Sequence, residues 1–269
     1  MIQLKTPKQI AHMRAAGLVV AQTLALLRDA VTPGVSTREL DALAESSIRA
    51  VGAVPSFKGY HGFPASICAS VNEEIVHGIP GERRLVDGDV ISIDCGAIVA
   101  GWHGDSAITV PVGRVDPEVL ELIEVCEDAM WRGIAAAHLG GRLTDISHAI
   151  ETSIRARGPY GIVEEYVGHG IGTEMHQDPQ VPNHGRRGRG PRLAPGLVLA
   201  VEPMVNLGGR HTRLMSDGWT VTTADGMSSA HFEHTFALTP DGPWVLTALD
   251  GGADRLASIG AAANGALAP

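Results

Sequence analysis

The sequence has few cysteines and no excess of basic residues, and each shortage excludes a class of protein. Its three cysteines, Cys68, Cys95 and Cys126, form no C-x-x-C pair, so we expect no disulfide framework and a reducing compartment. The formal net charge of −9 disfavours a DNA- or RNA-binding protein, because such proteins are more often basic.

Long apolar runs and a recognisable targeting segment are also missing. The most apolar stretch, residues 17–27, is too short to span a bilayer and contains Gln22 and Thr23. The N-terminus carries Lys5 and Lys8 without a long apolar run, which is not typical of a signal peptide. We therefore expect a cytoplasmic protein that does not bind membranes.

What is present is the pattern of a globular α/β chain. Apolar residues recur at helical spacing in four segments, and short β-branched runs fill residues 53–112 and 160–240. Capping boxes, in which Ser or Thr is followed three residues later by Gln or Glu, predict the first two helix starts. The four predicted helices begin at Thr6, Ser36, Asp116 and about Thr144, and end before Thr32, Gly52, about Gly140 and Gly158.

The order of two helices followed by strands occurs twice, and residues 47–50 (S-I-R-A) recur as residues 153–156. We predict one catalytic domain over residues 1–250, made of two related halves at about 6–112 and 113–245. Their interface should form a cleft, where ligand sites tend to lie.

Two segments are predicted to be peripheral. Residues 184–192 are rich in Gly and contain four arginines; a solvated loop is the simpler interpretation, and a contact with ribosomal RNA is the alternative. Residues 251–269 are rich in Ala and Gly, and we expect a disordered tail there.

A glycine-rich segment, V-G-H-G-I-G-T-E-M-H at residues 167–176, contains two histidines. Its glycines allow close approach of backbone and ligand, and a strand here would direct His169 into a cleft. A lone histidine is more often an ordinary structural residue. Acidic residues in other apolar segments change that interpretation, because apolar interiors rarely tolerate unpaired carboxylates. These acidic residues are Asp94, Asp105, Glu202 and Glu233.

Asp94 and Asp105 lie on adjoining strand-like runs. If their hairpin centres on Val99 and Ala100, the two carboxylates are directly opposed, with Cβ atoms roughly 4.5–5.5 Å apart. They repel each other unless one is protonated or cations lie between them. An aspartic dyad sharing one proton is the competing interpretation, but three further candidate ligands favour metal.

Four carboxylates and one imidazole without a thiolate form an oxygen-rich site. Such a set suits Mn²⁺, Fe²⁺, Co²⁺ or Zn²⁺ in a two-metal arrangement and disfavours a structural zinc site. Two cations about 3.5–4 Å apart can share a hydroxide that is nucleophilic near neutral pH. Metal-assisted hydrolysis is therefore the predicted reaction class.

Five local stretches carry a family resemblance that extends over about residues 6–248. They read G-Y-H-G-F-P-A-S-I-C (59–68), N-E-E-I-V-H-G-I-P (72–80), S-I-D-C-G (92–96), G-H-G-I-G (168–172), and E-P-M (202–204) with F-E-H-T (232–235). Together they resemble the methionine aminopeptidases of the bacterial type I class. The resemblance implies the pita-bread (creatinase/aminopeptidase) fold, an α/β (α+β) fold with two pseudo-symmetric αα-β halves around a central antiparallel sheet and helices outside.

The resemblance also implies a role for each candidate ligand. Asp94 would bind one metal, Asp105 and Glu233 would bridge both, and His169 and Glu202 would complete the shell of the other. The implied cofactors are two divalent cations per chain, chosen among Co, Mn, Fe, Zn and Ni. The implied activity is hydrolysis of the initiator methionine from nascent proteins with a small second residue.

Further residues would act on the substrate. Glu202 would take the proton of the attacking water, His77 would lie near the substrate amide nitrogen, and His176 would hydrogen-bond the scissile carbonyl. Apolar and polarizable groups suit a methionine thioether, although core packing is the alternative for each residue singly. The implied substrate-binding residues are Tyr60, His61, Phe63, Cys68, His77, Met175, His176 and Trp219.

Asn72 and Ser229 match a monovalent-cation site of the family, with a loop-stabilising role as the alternative. His231 stands where the family often has Gln, and Gly96 stands where Thr is common, which would loosen the surroundings of the ligands. We see no Cys/His-rich N-terminal extension, which favours the short bacterial form.

Two other functions stay open from the sequence. An Xaa-Pro-specific peptidase on the same fold would use the same five ligands, usually with a further N-terminal domain. A non-enzymatic binding protein on this fold would have lost ligands that this chain keeps. We expect a monomer that acts on nascent N-termini beginning with Met, with a transient ribosome contact and no DNA partner.

Overall fold

The structure, a computed structural model, describes residues 2–261. A single turn of 3₁₀ helix, Tyr60–Gly62, precedes the second strand. The α-helices are α1 (Pro7–Ala30), α2 (Thr37–Ala50), α3 (Pro117–Ala135), α4 (Leu143–Arg157) and α5 (Ala253–Ser258). The strands are β1 (Val54–Pro55), β2 (Ile67–Val71), β3 (Glu74–Val76), β4 (Val90–Val99), β5 (Trp102–Pro111), β6 (Gly161–Ile162), β7 (Gly168–Gly170), β8 (Gln177–Val181), β9 (Val198–Val201), β10 (Met204–Asn206), β11 (Thr212–Leu214), β12 (Val221–Thr223), β13 (Ser229–His231), β14 (Glu233–Thr239) and β15 (Gly242–Val245).

Helices α1 and α2 begin where the capping boxes predict. The Thr6 hydroxyl accepts a hydrogen bond from the Gln9 N–H at 3.3 Å, and the Gln9 side chain accepts one from the Thr6 N–H at 2.8 Å. Ser36 and Glu39 form the same reciprocal pair. Each box satisfies two backbone donors that a helix N-terminus otherwise leaves without partners.

Helix α1 is a core helix. By length and composition it could cross a membrane, but half of its most apolar window is buried inside the protein. It packs against β4 and β5, and it does so closely: a Cβ added to Gly17 would lie 2.2 Å from the carbonyl oxygen of Leu246. Its apolar face is therefore explained by packing against the sheet.

The main sheet is antiparallel and joins the two predicted halves. Its path is β1-β4-β5-β14-β9-β7-β8, with β2 pairing to β4 and β15 to β14. The pair β5–β14 connects the sheet strands before α3 to those after α4. Three-stranded sheets β13-β10-β6 and β11-β12-β3 lie beside it. This order agrees with two αα-β halves, and their origin by duplication stays a prediction.

The hairpin β4–β5 differs from the predicted register by two residues. Its turn is Ala100-Gly101, with φ of 50° and 81°, so Val99 pairs with Trp102 and Gly96 pairs with Asp105. Positive φ at both central residues is the geometry of the tight hairpin turns that match strand twist. Asp94 and Asp105 share a face but are diagonal neighbours, so their predicted direct opposition was wrong.

The predicted tail also differs. Residues 253–258 form α5, and Leu256 in that helix is fully buried. A single apolar anchor in an Ala/Gly-rich segment was too weak a pattern to predict this helix. Residues 262–269 of the predicted tail lie outside the described residues.

Candidate metal centre

The sheet register brings the five predicted ligands onto one face. Ala107 pairs with both Asp94 on β4 and Glu233 on β14, and paired residues in antiparallel strands point the same way. Asp105 is two residues from Ala107 and shares its face. On the other side, His169 pairs with Ala200, two residues before Glu202, so these two side chains also share the face.

Asp105, His169, Glu202 and Glu233 meet at short distances. Ligand atoms of Asp105, His169 and Glu233 all lie within 4.8 Å of one another, and His169 Nε2 is 3.4 Å from Glu202 Oε1. The other ring nitrogen, Nδ1, is 2.9 Å from the carbonyl oxygen of Gly170. Because a carbonyl only accepts, Nδ1 carries the proton and Nε2 presents a lone pair to the carboxylates.

Burial makes this cluster unfavourable for charge without cations. Burial raises the pKa of Asp94 to about 7, and burial and then the neighbouring carboxylates raise the pKa of Asp105, Glu202 and Glu233 well above the ordinary range. Burial lowers the pKa of His169 to about 3. The group therefore resists ionisation while offering one neutral nitrogen and many oxygens.

Buried polar atoms without partners show what the cluster lacks. Among residues 2–261, Asp94 Oδ1, Asp105 Oδ1 and Glu233 Oε1 are buried and accept no hydrogen bond. Each such atom costs about 1–3 kcal/mol, and divalent cations would satisfy all three and neutralise the carboxylates. The donor set thus fits hard or borderline cations. An aspartic dyad would leave Glu202, His169 and Glu233 without a role.

A cavity of about 190 Å³ opens beside the acidic cluster. One wall is apolar: Phe63, Cys68 and Met175 are each 3–5 % exposed, and the Phe63 and Trp219 rings meet edge to face at 5.1 Å. Tyr60, His77 and His176 also line it. His61, which we predicted in this pocket, is exposed, has a φ of 47° and does not line the cavity.

His77 and His176 lie at different depths. His77 is partly buried, with its ring 5.6 Å from that of Tyr166, and burial lowers its pKa to about 4. His176 is exposed at the mouth, 4.4 Å from the His169 ring. The Tyr60 hydroxyl lies 2.8 Å from His176 Nδ1 and orients the imidazole.

Five residues that line the cavity were not predicted from the sequence: Phe57, Val76, Tyr166, Val167 and Met204. Val76 and Val167 lie inside stretches already noted. Met204 lies in the E-P-M stretch and Tyr166 adjoins the glycine-rich segment, so proximity to the motifs could have indicated both. No motif indicates Phe57. Its ring packs beside Gly96, where an added Cβ would lie 2.9 Å from the ring. Phe57 and Ser56 thus fill the space beside Gly96. The missing side chain does not loosen the surroundings of the ligands, as we had expected it to.

Asn72 and Ser229 are brought together, as the cation-site resemblance requires. The Asn72 carbonyl accepts a hydrogen bond from the Ser229 N–H at 2.9 Å. The Asn72 side chain also bonds to Asp89 and to the Val90 N–H, each at 2.9 Å. These contacts tie two loops together and support a loop-stabilising role.

A cavity with clustered candidate metal ligands on one wall and an apolar pocket on the other defines a metal-dependent hydrolase. The sequence profile of metallopeptidase family M24 matches residues 11–240. The chain belongs to this family.

Relatives within the family are similar over nearly the whole chain. Methionine aminopeptidase 1 of Bacillus subtilis (strain 168) is 53 % identical over 92 % of this chain and 99 % of that protein. Methionine aminopeptidase 1 of Mycobacterium tuberculosis (strain CDC 1551 / Oshkosh) is 54 % identical over 89 % and 92 %. The predicted resemblance is confirmed.

Solved structures confirm the predicted pita-bread fold. The crystal structure of methionine aminopeptidase from Rickettsia prowazekii matches with a TM-score of 0.90 at 42 % identity, covering 92 % of this chain and 100 % of that one. Prolidase from Pyrococcus furiosus matches with a TM-score of 0.73 at 22 % identity, covering 91 % and 65 %. The prolidase likeness shows the fold alone.

Proposed function

We propose that the protein is a metal-dependent aminopeptidase that hydrolyses the N-terminal methionine of polypeptides whose second residue is small. The observation that carries this proposal is the apolar pocket directly beside five convergent metal ligands. A methionine side chain in that pocket brings the first peptide bond to the acidic cluster. Similarity to methionine aminopeptidases at more than half identity supports the same assignment.

The roles of the ligands follow from their positions. Asp94 and Asp105 on the hairpin, Glu233 on β14, and His169 with Glu202 would hold two divalent cations. When bound, such cations make a water molecule nucleophilic near neutral pH and attract the free α-amine of the substrate. The requirement for that amine makes the enzyme an exopeptidase.

Protein side chains then move protons and hold the peptide. Glu202 takes the proton of the attacking water, as the family resemblance implies; it lines the cavity, and its Oε1 lies 3.4 Å from His169 Nε2. His176 donates a hydrogen bond to the scissile carbonyl as negative charge develops there. His77, across the cavity, lies near the amide nitrogen.

We expect His77→Ala to lower kcat by roughly 10²–10³-fold with metal affinity unchanged, because His77 contacts substrate and not the cations. His77 has a φ of 60°, so His77→Asn, which tolerates this backbone conformation, is the matched variant. Isothermal titration with Mn²⁺ checks affinity beside the kinetics. Weaker metal binding in both variants would contradict a substrate-only role.

The peptide pair Met-Ala-Ser and Met-Lys-Ser tests the function. With Mn²⁺ or Co²⁺ supplied, we expect cleavage of the first peptide and at most trace cleavage of the second. Chromatography of the released methionine measures both rates. Equal rates on both would contradict the requirement for a small second residue. Activity restricted to Xaa-Pro peptides would identify the alternative peptidase.

The setting of the enzyme is a separate part of the proposal. All three cysteines are free and buried in the described chain, which supports a reducing, cytoplasmic location. Arg186, Arg187 and Arg189 are exposed on the 184–192 loop, and we propose that they contact ribosomal RNA transiently while a monomer acts on nascent chains. The test is cosedimentation with ribosomes at low and at high salt. Failure to cosediment at low salt, or binding that does not weaken as the salt concentration rises, would contradict that contact.

A further inference from the structure

His231 is a buried histidine that the proposed reaction does not use. It ends β13, two residues before Glu233, and is 2 % exposed. Its Nε2 atom is buried and has no hydrogen-bond partner in the part of the chain that the structure describes. A histidine that only fills space would be expected to satisfy both ring nitrogens.

The orphaned nitrogen faces the acidic cluster. His231 Nε2 lies 4.0 Å from Glu202 Oε2, and ligand atoms of His231, Glu202 and Glu233 all lie within 4.8 Å of one another. Ligands of one cation, each about 2.0–2.2 Å from it, lie at most about 4.4 Å apart. The separation from Glu202 is therefore within reach of a shared cation without rearrangement of either side chain.

The backbone holds this imidazole in place. The Thr109 hydroxyl accepts a hydrogen bond from the His231 N–H at 2.9 Å and donates one to the His231 carbonyl at 2.7 Å. Thr109 lies on β5, four residues from Asp105 on the same face. The Thr109 side chain therefore connects β5, the strand that carries Asp105, to His231, which lies beside Glu202 and Glu233. A preorganised site requires such fixed positions.

From this placement we propose that His231 is a sixth protein ligand of the metal centre, binding the cation on the Glu202 side through Nε2. The inference rests on the proposed metal centre and adds a second imidazole to it. Two nitrogens shift the preference of a carboxylate site from Mn²⁺ toward Fe²⁺, Co²⁺, Ni²⁺ or Zn²⁺. The neighbouring histidine, His234, cannot join because its Nδ1 bonds to Thr247 at 2.8 Å on the other face of the strand.

Proton NMR of the Co²⁺-loaded protein tests the assignment, because ligated imidazoles give paramagnetically shifted resonances. Labelling histidine with ¹⁵N identifies these signals. We expect two shifted imidazoles in the wild type, one in His231→Gln, one in His169→Gln, and two in the control His234→Gln. We also expect the Co²⁺ affinity of His231→Gln to fall roughly 10–100-fold by calorimetry.

The outcomes separate the two levels of the proposal. A wild type that binds Co²⁺ through one imidazole, lost in His169→Gln and retained in His231→Gln, would overturn the role of His231 and leave the five-ligand centre intact. A wild type without shifted imidazoles or bound cation would overturn the metal centre itself.

Discussion

Replacing Asp105 with Asn is expected to lower kcat/KM for Met-Ala-Ser by at least about 10³-fold. The proposed cations would lower the activation barrier by several kcal/mol, and the variant would lose much of that stabilisation. A carboxylate oxygen of Asp105 lies within 4.8 Å of ligand atoms of both His169 and Glu233. An amide keeps the shape but loses the charge that would bridge two cations. Metal analysis of the purified variant should show fewer than two cations per chain.

Asp29→Asn is the matched control, because Asp29 is exposed at the end of α1 and does not line the cavity. It should retain wild-type activity and metal content. An Asp105→Asn enzyme that turns over at the wild-type rate would show that the cations, or their position, have been assigned wrongly.

Metal-free protein is expected to lose stability as the pH rises above about 6.5, by several kcal/mol at pH 8.5. Asp94, with its pKa raised to about 7, and three acids with pKa values raised further are protonated in the folded state. Unfolding lets each ionise, so each adds about 1.4 kcal/mol of destabilisation per pH unit between its unfolded and folded pKa values.

Below pH 6.5 buried histidines oppose the acids. Burial lowers the pKa of His77 and His234 to about 4, and that of His169 and His231 to about 3. The unfolded chain binds protons there that the folded chain excludes, so these four histidines offset the four acids, whose destabilisation also grows over this pH range. The opposed linkages therefore predict a stability that changes little between about pH 4.5 and 6.5 and falls above about 6.5.

Thermal unfolding of chelated protein across pH 5–9 measures the stability in both pH ranges. Saturating Mn²⁺ should raise the Tm most at alkaline pH, because bound cations stabilise the ionised carboxylates. Asp105→Asn should make the alkaline decrease in Tm shallower, because the pKa of Asp105 is raised further than that of Asp94. A metal-free protein whose Tm is constant between pH 6.5 and 8.5 would contradict four acids held protonated by burial.

Local chemistry in the sequence was sufficient to predict the first four helices and to select the candidate ligands. Thr6 with Gln9, and Ser36 with Glu39, are helix starts because their hydrogen bonds form within four residues. Asp94, Asp105 and Glu233 could be selected because carboxylates in apolar strands need partners wherever the strands pair.

Long-range geometry was harder to predict. The β4–β5 register depended on Ala100 adopting a positive φ beside Gly101, which a non-glycine residue rarely does. Phe57, which follows β1, packs against Gly96 on β4, where an added Cβ would lie 2.9 Å from its ring. His61 was placed in the pocket by resemblance, but its backbone conformation turns it to solvent. Each of these depends on tertiary neighbours that no local pattern contains.

Restoring activity to exhaustively chelated protein by stepwise addition of Mn²⁺ or Co²⁺ tests the metal centre most directly. We expect cleavage of Met-Ala-Ser to fall below about 1 % of its initial rate on chelation, consistent with the loss expected for metal catalysis, and to return as cations bind. Cleavage that continues unimpaired in protein shown by elemental analysis to be free of metal would contradict the account.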